Sequence, residues 1–432
     1  MVQLDERLSK IKRLFVDRGK YFVINRGRQY GKTTTLKALA EYLKDDHLVI
    51  SMDFQMLSTA SFENEAVFSH AFAEMLTEKL EQMKAENKQD MIALLACFNT
   101  GEKRILRDLF VRLSKLCEKA EKPIVLMIDE MDSASNNQVF LDFLALLRGY
   151  YLERENRATF QSVILAGVYD VKNLKWKIRL DEEHKYKSPW NIVAKFNLDM
   201  SFSADQTADM FHEYEEDNKT GMDIYVVAKC IEYPYLVSAI CKLLDEEILG
   251  SRGFENMASV WTEEGIAEAV KVLLKENTSL FDSMVKQLNT FKDLRNMMEE
   301  ILYQGRIIPY SPYVESVNLG VMFGFLKEED GHIAVANRIF EMGLLNMFMT
   351  EESVSSEAYR YGQKDRNQFI KDAKLDMVLV LRKFTECFTD LYGDNDEKFV
   401  EVYGRKFFLL FLKPIINGVG NYYIEAMPKG WM

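Results

Sequence analysis

Apolar residues recur along this chain with two periods, and stretches of the two kinds alternate. Residues 21–25 (YFVIN) form a short apolar, β-branched run, and after a polar loop the segment TTTLKALAEYLK repeats its apolar positions at helical spacing. This predicts strand, loop, helix. A second run, LVISMDF (48–54), reads as a strand, and the Ala-, Leu-, Glu- and Lys-rich stretches 62–96 and 102–120 read as helices. PIVLMID (123–129) is a nearly unbroken apolar run, as expected of a parallel strand buried on both faces. A helix at 138–152 follows, and SVILAGV (162–168) and KFNLDMSF (195–202) supply a fourth and a fifth strand. The alternation predicts an α/β fold, a parallel sheet with helices on both faces, over residues 1–203.

Beyond residue 204 the strand pattern stops. Two helical segments flank IEYPYL (231–236), which predicts a helical domain over 204–258. Helices in the next unit, 259–352, lead to FGFLKEEDGHIAVAN (323–337), a hairpin pattern with glycine at its turn. That pattern fits a winged helix, and equally a helical spacer carrying a small hairpin. The last unit, 353–432, is predicted to hold helices at 370–392 and 396–411, then a Gly-rich turn entering a strand in PIINGVGNYYIEA (414–426).

A chain of 432 residues accommodates two to four domains of ordinary size, and 48% hydrophobic with 28% charged residues is globular composition. The net charge of −12 argues against a broadly basic nucleic-acid coat. The modest basic clusters Lys172–Arg179 and Arg360–Arg366 read as solvated faces, with a local basic groove left open. Cys97, Cys117, Cys230, Cys241 and Cys387 lie far apart without a CxxC pair, so they read as buried thiols in a reducing compartment. The N-terminus has no apolar signal core, and no run approaches the roughly 18 apolar residues of a membrane span. A cytoplasmic protein is expected.

The chemistry is concentrated at Arg26-Gly27-Arg28-Gln29-Tyr30-Gly31-Lys32-Thr33-Thr34, where a strand hands over to a helix. Backbone N–H groups of such a loop and the positive helix N-terminus cradle phosphate oxygens. Lys32 would reach the β and γ phosphates, and Thr33 would ligate magnesium. The pattern departs from G-x-x-x-x-G-K-[ST] at its first position, where Arg26 stands and the glycine is displaced to Gly27. Alone, GKT at a helix start is also a chance turn and cap. Asp129 and Glu130 at the end of the third apolar run supply what a nucleotide site needs next, because adjacent carboxylates there are costly without a cation. Asp129 would bind magnesium through water, and Glu130 would position or deprotonate the attacking water. Asp132 reads as a cap of the following helix. Tyr169 and Asp170 end the fourth strand, where a γ-phosphate sensor would sit, and Arg26, Arg28 and Arg179 are candidates to stabilise transferred charge.

At NRGRQYGKTTTL, IDEMD, VILAGVYDVKNLK and SPWNI the chain resembles the bacterial AAA-like ATPases, over about residues 10–250. The resemblance implies a five-stranded P-loop core of order 5-1-4-3-2, a helical lid, and ATP with Mg2+ as the bound nucleotide and metal. Related ATPases carry Gly-x-Pro in the lid, and here Glu232-Tyr233-Pro234 stands in its place. EKFVEVYGRKFFLLFLKPIINGVGNYYIEA is similar to the start of a PD-(D/E)XK nuclease-like domain, with Glu401 at the helix position and Glu425 in the first strand. The strand Asp and E-x-K of that pattern are missing, which implies a truncated or degenerate nuclease-like segment. The reading is then an ATP-dependent molecular switch or motor. A homo-oligomer completing the site with a neighbour's arginine, and DNA contacts through the C-terminal domains, are further expectations. The alternatives are an ATP-gated nuclease effector and a nucleic-acid-binding regulator.

Overall fold

The computed structural model describes residues 4–416 apart from 84–86, 101, 135, 169–191, 230–232, 277, 365, 372–373 and 394–396. Two compact units divide the chain, Met1–Ala269 and Val270–Met432.

The first unit opens with helix α1 (Asp5–Ile11), which runs on through one π-helical turn to Val16. Then come β1 (Phe22–Asn25), α2 (Lys32–Leu43), β2 (Leu48–Asp53), α3 (Glu65–Gln82), α4 (Lys88–Leu95), α5 (Leu106–Lys119), β3 (Ile124–Asp129), α6 (Gln138–Leu152) and β4 (Ser162–Gly167). The strands pair in parallel in the order β1-β4-β3-β2, with Asn25 beside Gly167 and Asp53 beside Asp129 at their carboxyl ends. Every residue of β3 and β4 is buried. Their side chains alternate between two cores. Leu126, Ile128, Val163 and Leu165 join α3, α5 and α6 on one face, while Val125, Met127, Ile164 and Ala166 join α1 and α2 on the other. A strand buried on both faces has no polar position to spare, hence the unbroken apolar runs in the sequence.

The expected fifth strand is corrected: among the described residues the sheet has four strands, so the expected 5-1-4-3-2 order is cut to 1-4-3-2. The backbone pairs with β1 only just before residues 195–202, in a single parallel bridge between Phe22 and Ala194. Phe196 and Met200 are buried, as the alternating pattern foretold. The backbone polar groups, however, are engaged elsewhere. Arg26 Nη2 donates to the Leu198 carbonyl at 3.0 Å and Arg7 Nη2 to that of Ser201 at 2.8 Å. The Asp199 carboxylate accepts from Ser201 N at 2.9 Å and turns the chain. Side chains thus occupy groups a sheet ladder would require.

After the sheet come α7 (Ala204–Asn218), α8 (Ile224–Lys229) and α9 (Pro234–Leu243). Ser203 and Gln206 cap α7 reciprocally, each side chain bonding the other's backbone N–H. Helix α10 (Glu263–Leu273) spans the boundary between the units.

The second unit holds α11 (Ser279–Thr290), α12 (Lys292–Gln304) and α13 (Glu315–Met322) with a three-stranded antiparallel sheet of order β5-β7-β6. Its strands are β5 (Ile308–Pro309), β6 (Leu326–Glu329) and β7 (His332–Val335), and Asp330 and Gly331, both at positive φ, make the turn between β6 and β7. Helices α14 (Arg338–Ser353) and α15 (Glu357–Lys364) follow, then the small hairpin of β8 (Ile370–Lys371) with β9 (Lys374–Leu375), then α16 (Met377–Tyr392) and α17 (Glu397–Ile416). The turn expected from residue 414 onward is absent through Ile416. Helix α17 continues across Pro414 because Phe411, Leu412 and Ile415, on both sides of it, are buried with Phe369, Val380 and Cys387. No nuclease-like sheet is seen among the described residues. The Glu401 side chain and all of Glu425 lie outside them. No helix among the described residues is long and apolar enough to cross a membrane.

Candidate functional site

The carboxyl ends of β1 and β3 deliver the chemistry. Leaving β1, the chain takes positive φ at Gln29 (58°) and at Gly31 (74°) before entering α2 at Lys32. Glycine enters the left-handed region freely, whereas Gln29 reaches it only against steric resistance, so the loop is held rather than relaxed. Lys32 is 7% exposed, and its Nζ donates to the carbonyls of Arg26 at 2.9 Å and Gly27 at 2.8 Å, folded across the loop that α2 caps. Burial pushes the Lys32 pKa below the ordinary lysine range, and the carboxylates of Asp132, Glu130 and Asp129 oppose that shift. Thr33 and Thr34 are exposed on the first turn of α2.

From β3, Asp129 meets this loop. Thr33 Oγ1 donates to Asp129 Oδ2 at 2.6 Å, a contact between residues 96 apart in the chain. The other carboxylate oxygen of Asp129 accepts the Glu130 N–H at 2.9 Å. Glu130 itself has φ 50°, another strained non-glycine position, at the entrance to a 3-10 turn over Met131–Ser133. Ser133 holds it there, its Oγ donating to the Glu130 carbonyl at 2.8 Å and lying 3.0 Å from that of Phe54. Burial lifts the Glu130 carboxyl above the usual carboxylate range, with Lys32 acting against the shift. A carboxylate of raised pKa beside a phosphate loop is equipped to take a proton from water.

Two expectations change in the structure. The N-cap of α6 is Asn137 and not Asp132, whose carboxylate accepts the N–H of Val168 just after β4. Gly167 leaves room for this approach, as a Cβ there would stand 2.8 Å from Met131 Cγ and 3.0 Å from both Asp132 oxygens. Gly167→Ala is therefore expected to destabilise the fold by about 1–3 kcal/mol, the usual range for forcing a methyl into a packed site. Urea unfolding of wild type and variant at equal m-value checks this. Arg26 does not reach toward phosphate: its guanidinium donates to the carbonyls of Asn25 and Leu198 and lies over the Phe196 ring. Arg28 is exposed and is felt electrostatically by both Lys32 and Glu130, so it is the described arginine of the loop that remains available. Tyr169, Asp170 and Arg179 lie outside the described residues.

Sequence reasoning missed Tyr233. It stands at the start of α9, its hydroxyl donates to the Arg28 carbonyl at 2.5 Å, and its ring meets Tyr30 edge-on with centroids 4.8 Å apart. The only signal was its place beside Pro234 in the stretch aligned with the lid element. Asp53, beside Asp129 in register, turns its carboxylate to Gln55 N at 2.9 Å and so closes its own strand end.

A family model described as an AAA-like domain matches residues 5–320. No curated protein matches the sequence. Among solved structures, a Walker-type ATPase of Pyrococcus abyssi is similar at 13% identity and a TM-score of 0.48, covering 80% of this chain and 96% of that one. The ORC2 protein of Aeropyrum pernix in ADPNP–ADP complexes is similar at 11% identity and a TM-score of 0.45, covering 81% and 95%. Cdc6p of Pyrobaculum aerophilum is similar at 14% identity and a TM-score of 0.38, covering 81% and 94%.

Proposed function

We propose that this chain, which belongs to the AAA-like domain family, binds ATP with magnesium and hydrolyses it as a molecular switch or small motor. The observation that carries this reading is the 2.6 Å contact of Thr33 with Asp129, which joins the phosphate loop to the carboxylate strand. A hydroxyl and a carboxylate are hard oxygen donors, and magnesium takes one or two of these from a protein while phosphate oxygens and water complete its shell. Thr33 and Asp129 fit that requirement: in place of their mutual hydrogen bond, Thr33 would hold the ion by its hydroxyl and Asp129 through water. When bound, magnesium neutralises charge that develops on the β and γ phosphates.

The residues of the chain do the rest. The N–H groups along Gly27–Thr34, at the start of α2, donate to the phosphate oxygens. Lys32 exchanges the two loop carbonyls for phosphate, a far better partner for a buried cation. Glu130, held by Ser133, orients the attacking water and takes its proton.

Wild-type protein should bind ATP and release phosphate slowly. Asp129→Asn keeps the shape of the side chain and removes its charge. It is expected to raise the magnesium concentration giving half-maximal ATP binding by roughly 10- to 100-fold, the usual range for altering groups around a metal's shell. A magnesium titration at fixed ATP reads this, and an unchanged midpoint would remove Asp129 from the magnesium site.

A further inference from the structure

Residues far from the phosphate loop in sequence take hold of it at one point. Helix α9 begins with Pro234 in its first turn, and the residue before it, Tyr233, keeps extended backbone. Tyr233 is 4% exposed. Its hydroxyl donates to the carbonyl oxygen of Arg28, 205 positions away in the chain, and its ring lies at 83° to that of Tyr30. One side chain therefore grips two of the three residues between Gly27 and Gly31.

The carbonyl it grips is the sensitive one. A carbonyl oxygen carries negative partial charge and repels phosphate, so a phosphate-binding loop must keep its carbonyls turned away and its N–H groups turned in. The peptide joining Arg28 to Gln29 is planar and trans, so fixing the oxygen fixes the whole unit. Gln29, next in the chain, is held at φ 58°, a state that does not maintain itself. The Tyr233 hydroxyl supplies an external hold on this unit. We propose that Tyr233 is a positioning residue that keeps the Arg28 carbonyl turned toward α9 and away from the phosphates, and thereby couples α9 to nucleotide binding. The proposal rests on the ATP reading of the loop.

By reciprocity, if the residue that leads into α9 strengthens ATP binding, it must itself be held more firmly when ATP is bound. Two measurements test this. Tyr233→Phe keeps the ring contact with Tyr30 and removes only the hydroxyl. ATP Kd, measured by equilibrium titration, is expected to rise about fivefold, as for loss of one buried hydrogen bond. Backbone hydrogen exchange over 234–243 is expected to slow on adding saturating ATP in wild type, and this slowing should be lost in Tyr233→Phe. A merely structural tyrosine would not alter an ATP-dependent difference. Equal Kd values for wild type and Tyr233→Phe overturn the proposal. So does a wild type in which ATP leaves exchange over 234–243 unchanged, a result that needs no variant to fold. If wild type binds no ATP, or if Lys32→Ala binds as tightly as wild type, the ATP reading falls and takes this proposal with it. If Lys32→Ala is defective while Tyr233→Phe equals wild type, only the role of Tyr233 falls.

Discussion

Lys32→Ala is expected to weaken ATP binding by about two orders of magnitude or more, roughly 2.7 kcal/mol, while leaving the nucleotide-free protein folded. The asymmetry follows from where the ammonium sits. Without nucleotide, Lys32 is buried across the loop with its hydrogen bonds, among the described residues, going to two carbonyls, and burial holds its pKa below the usual lysine range. A buried cation in that condition adds little to stability, because desolvation offsets most of what its hydrogen bonds return. Alanine is a good helix former at the first position of α2, and the left-handed Gly31 before it is untouched. With ATP bound, the same ammonium would neutralise phosphate charge in a poorly solvated place, where charge-assisted hydrogen bonds are strongest.

Thermal unfolding with and without magnesium-ATP separates the two states. Wild type should gain stability as ATP rises above its Kd, by about 2.7 kcal/mol at a hundredfold excess, and Lys32→Ala should gain almost none at the same concentration. The melting temperatures without nucleotide should lie close together. Equal ATP-dependent gains in the two proteins would mean that Lys32 does not face phosphate.

The core of this protein could be read from its sequence because its strands are buried on both faces. Val125 to Ile128 and Val163 to Ala166 serve two cores at once, so each run had to be apolar throughout. The phosphate loop could be read because its function demands glycine, lysine and threonine at a strand-to-helix junction. The segment 195–202 misled for a physical reason. Phe196 and Met200 are buried on the alternating pattern of a strand, but periodicity reports burial and carries no record of hydrogen bonding. Arg7, Arg26 and Asp199 decide the matter, two of them from distant parts of the chain. The same blindness hid the roles of Asp132 and Tyr233. Both act on backbone groups, the Val168 N–H and the Arg28 carbonyl, and a backbone group has no letter in a sequence. Arg26 was misjudged in the opposite sense, because an arginine next to a phosphate motif suggests charge stabilisation, whereas here its guanidinium ties down the edge of the sheet.

Glu130→Gln is expected to bind ATP as tightly as wild type and to hydrolyse it about 100- to 1,000-fold more slowly, within the range that positioned general bases contribute. Glutamine preserves the size of the side chain, and what holds the residue in place is backbone. The Glu130 N–H is fixed by Asp129 and the carbonyl by Ser133, so the left-handed turn survives the substitution. Proton affinity is what is lost. Burial has already raised that affinity in wild type, lifting the Glu130 carboxyl above the usual carboxylate range. The sign of the pH dependence follows: the base works only when ionised, so turnover should fall as pH drops through the raised pKa, at a higher pH than an exposed glutamate would show. In Glu130→Gln the residual rate should lack that acidic limb. Phosphate release measured under saturating magnesium-ATP from roughly pH 5 to 8 resolves both effects. A variant that retained wild-type turnover, or kept the same acidic limb, would assign the base to another group and leave Glu130 as an electrostatic neighbour of Lys32.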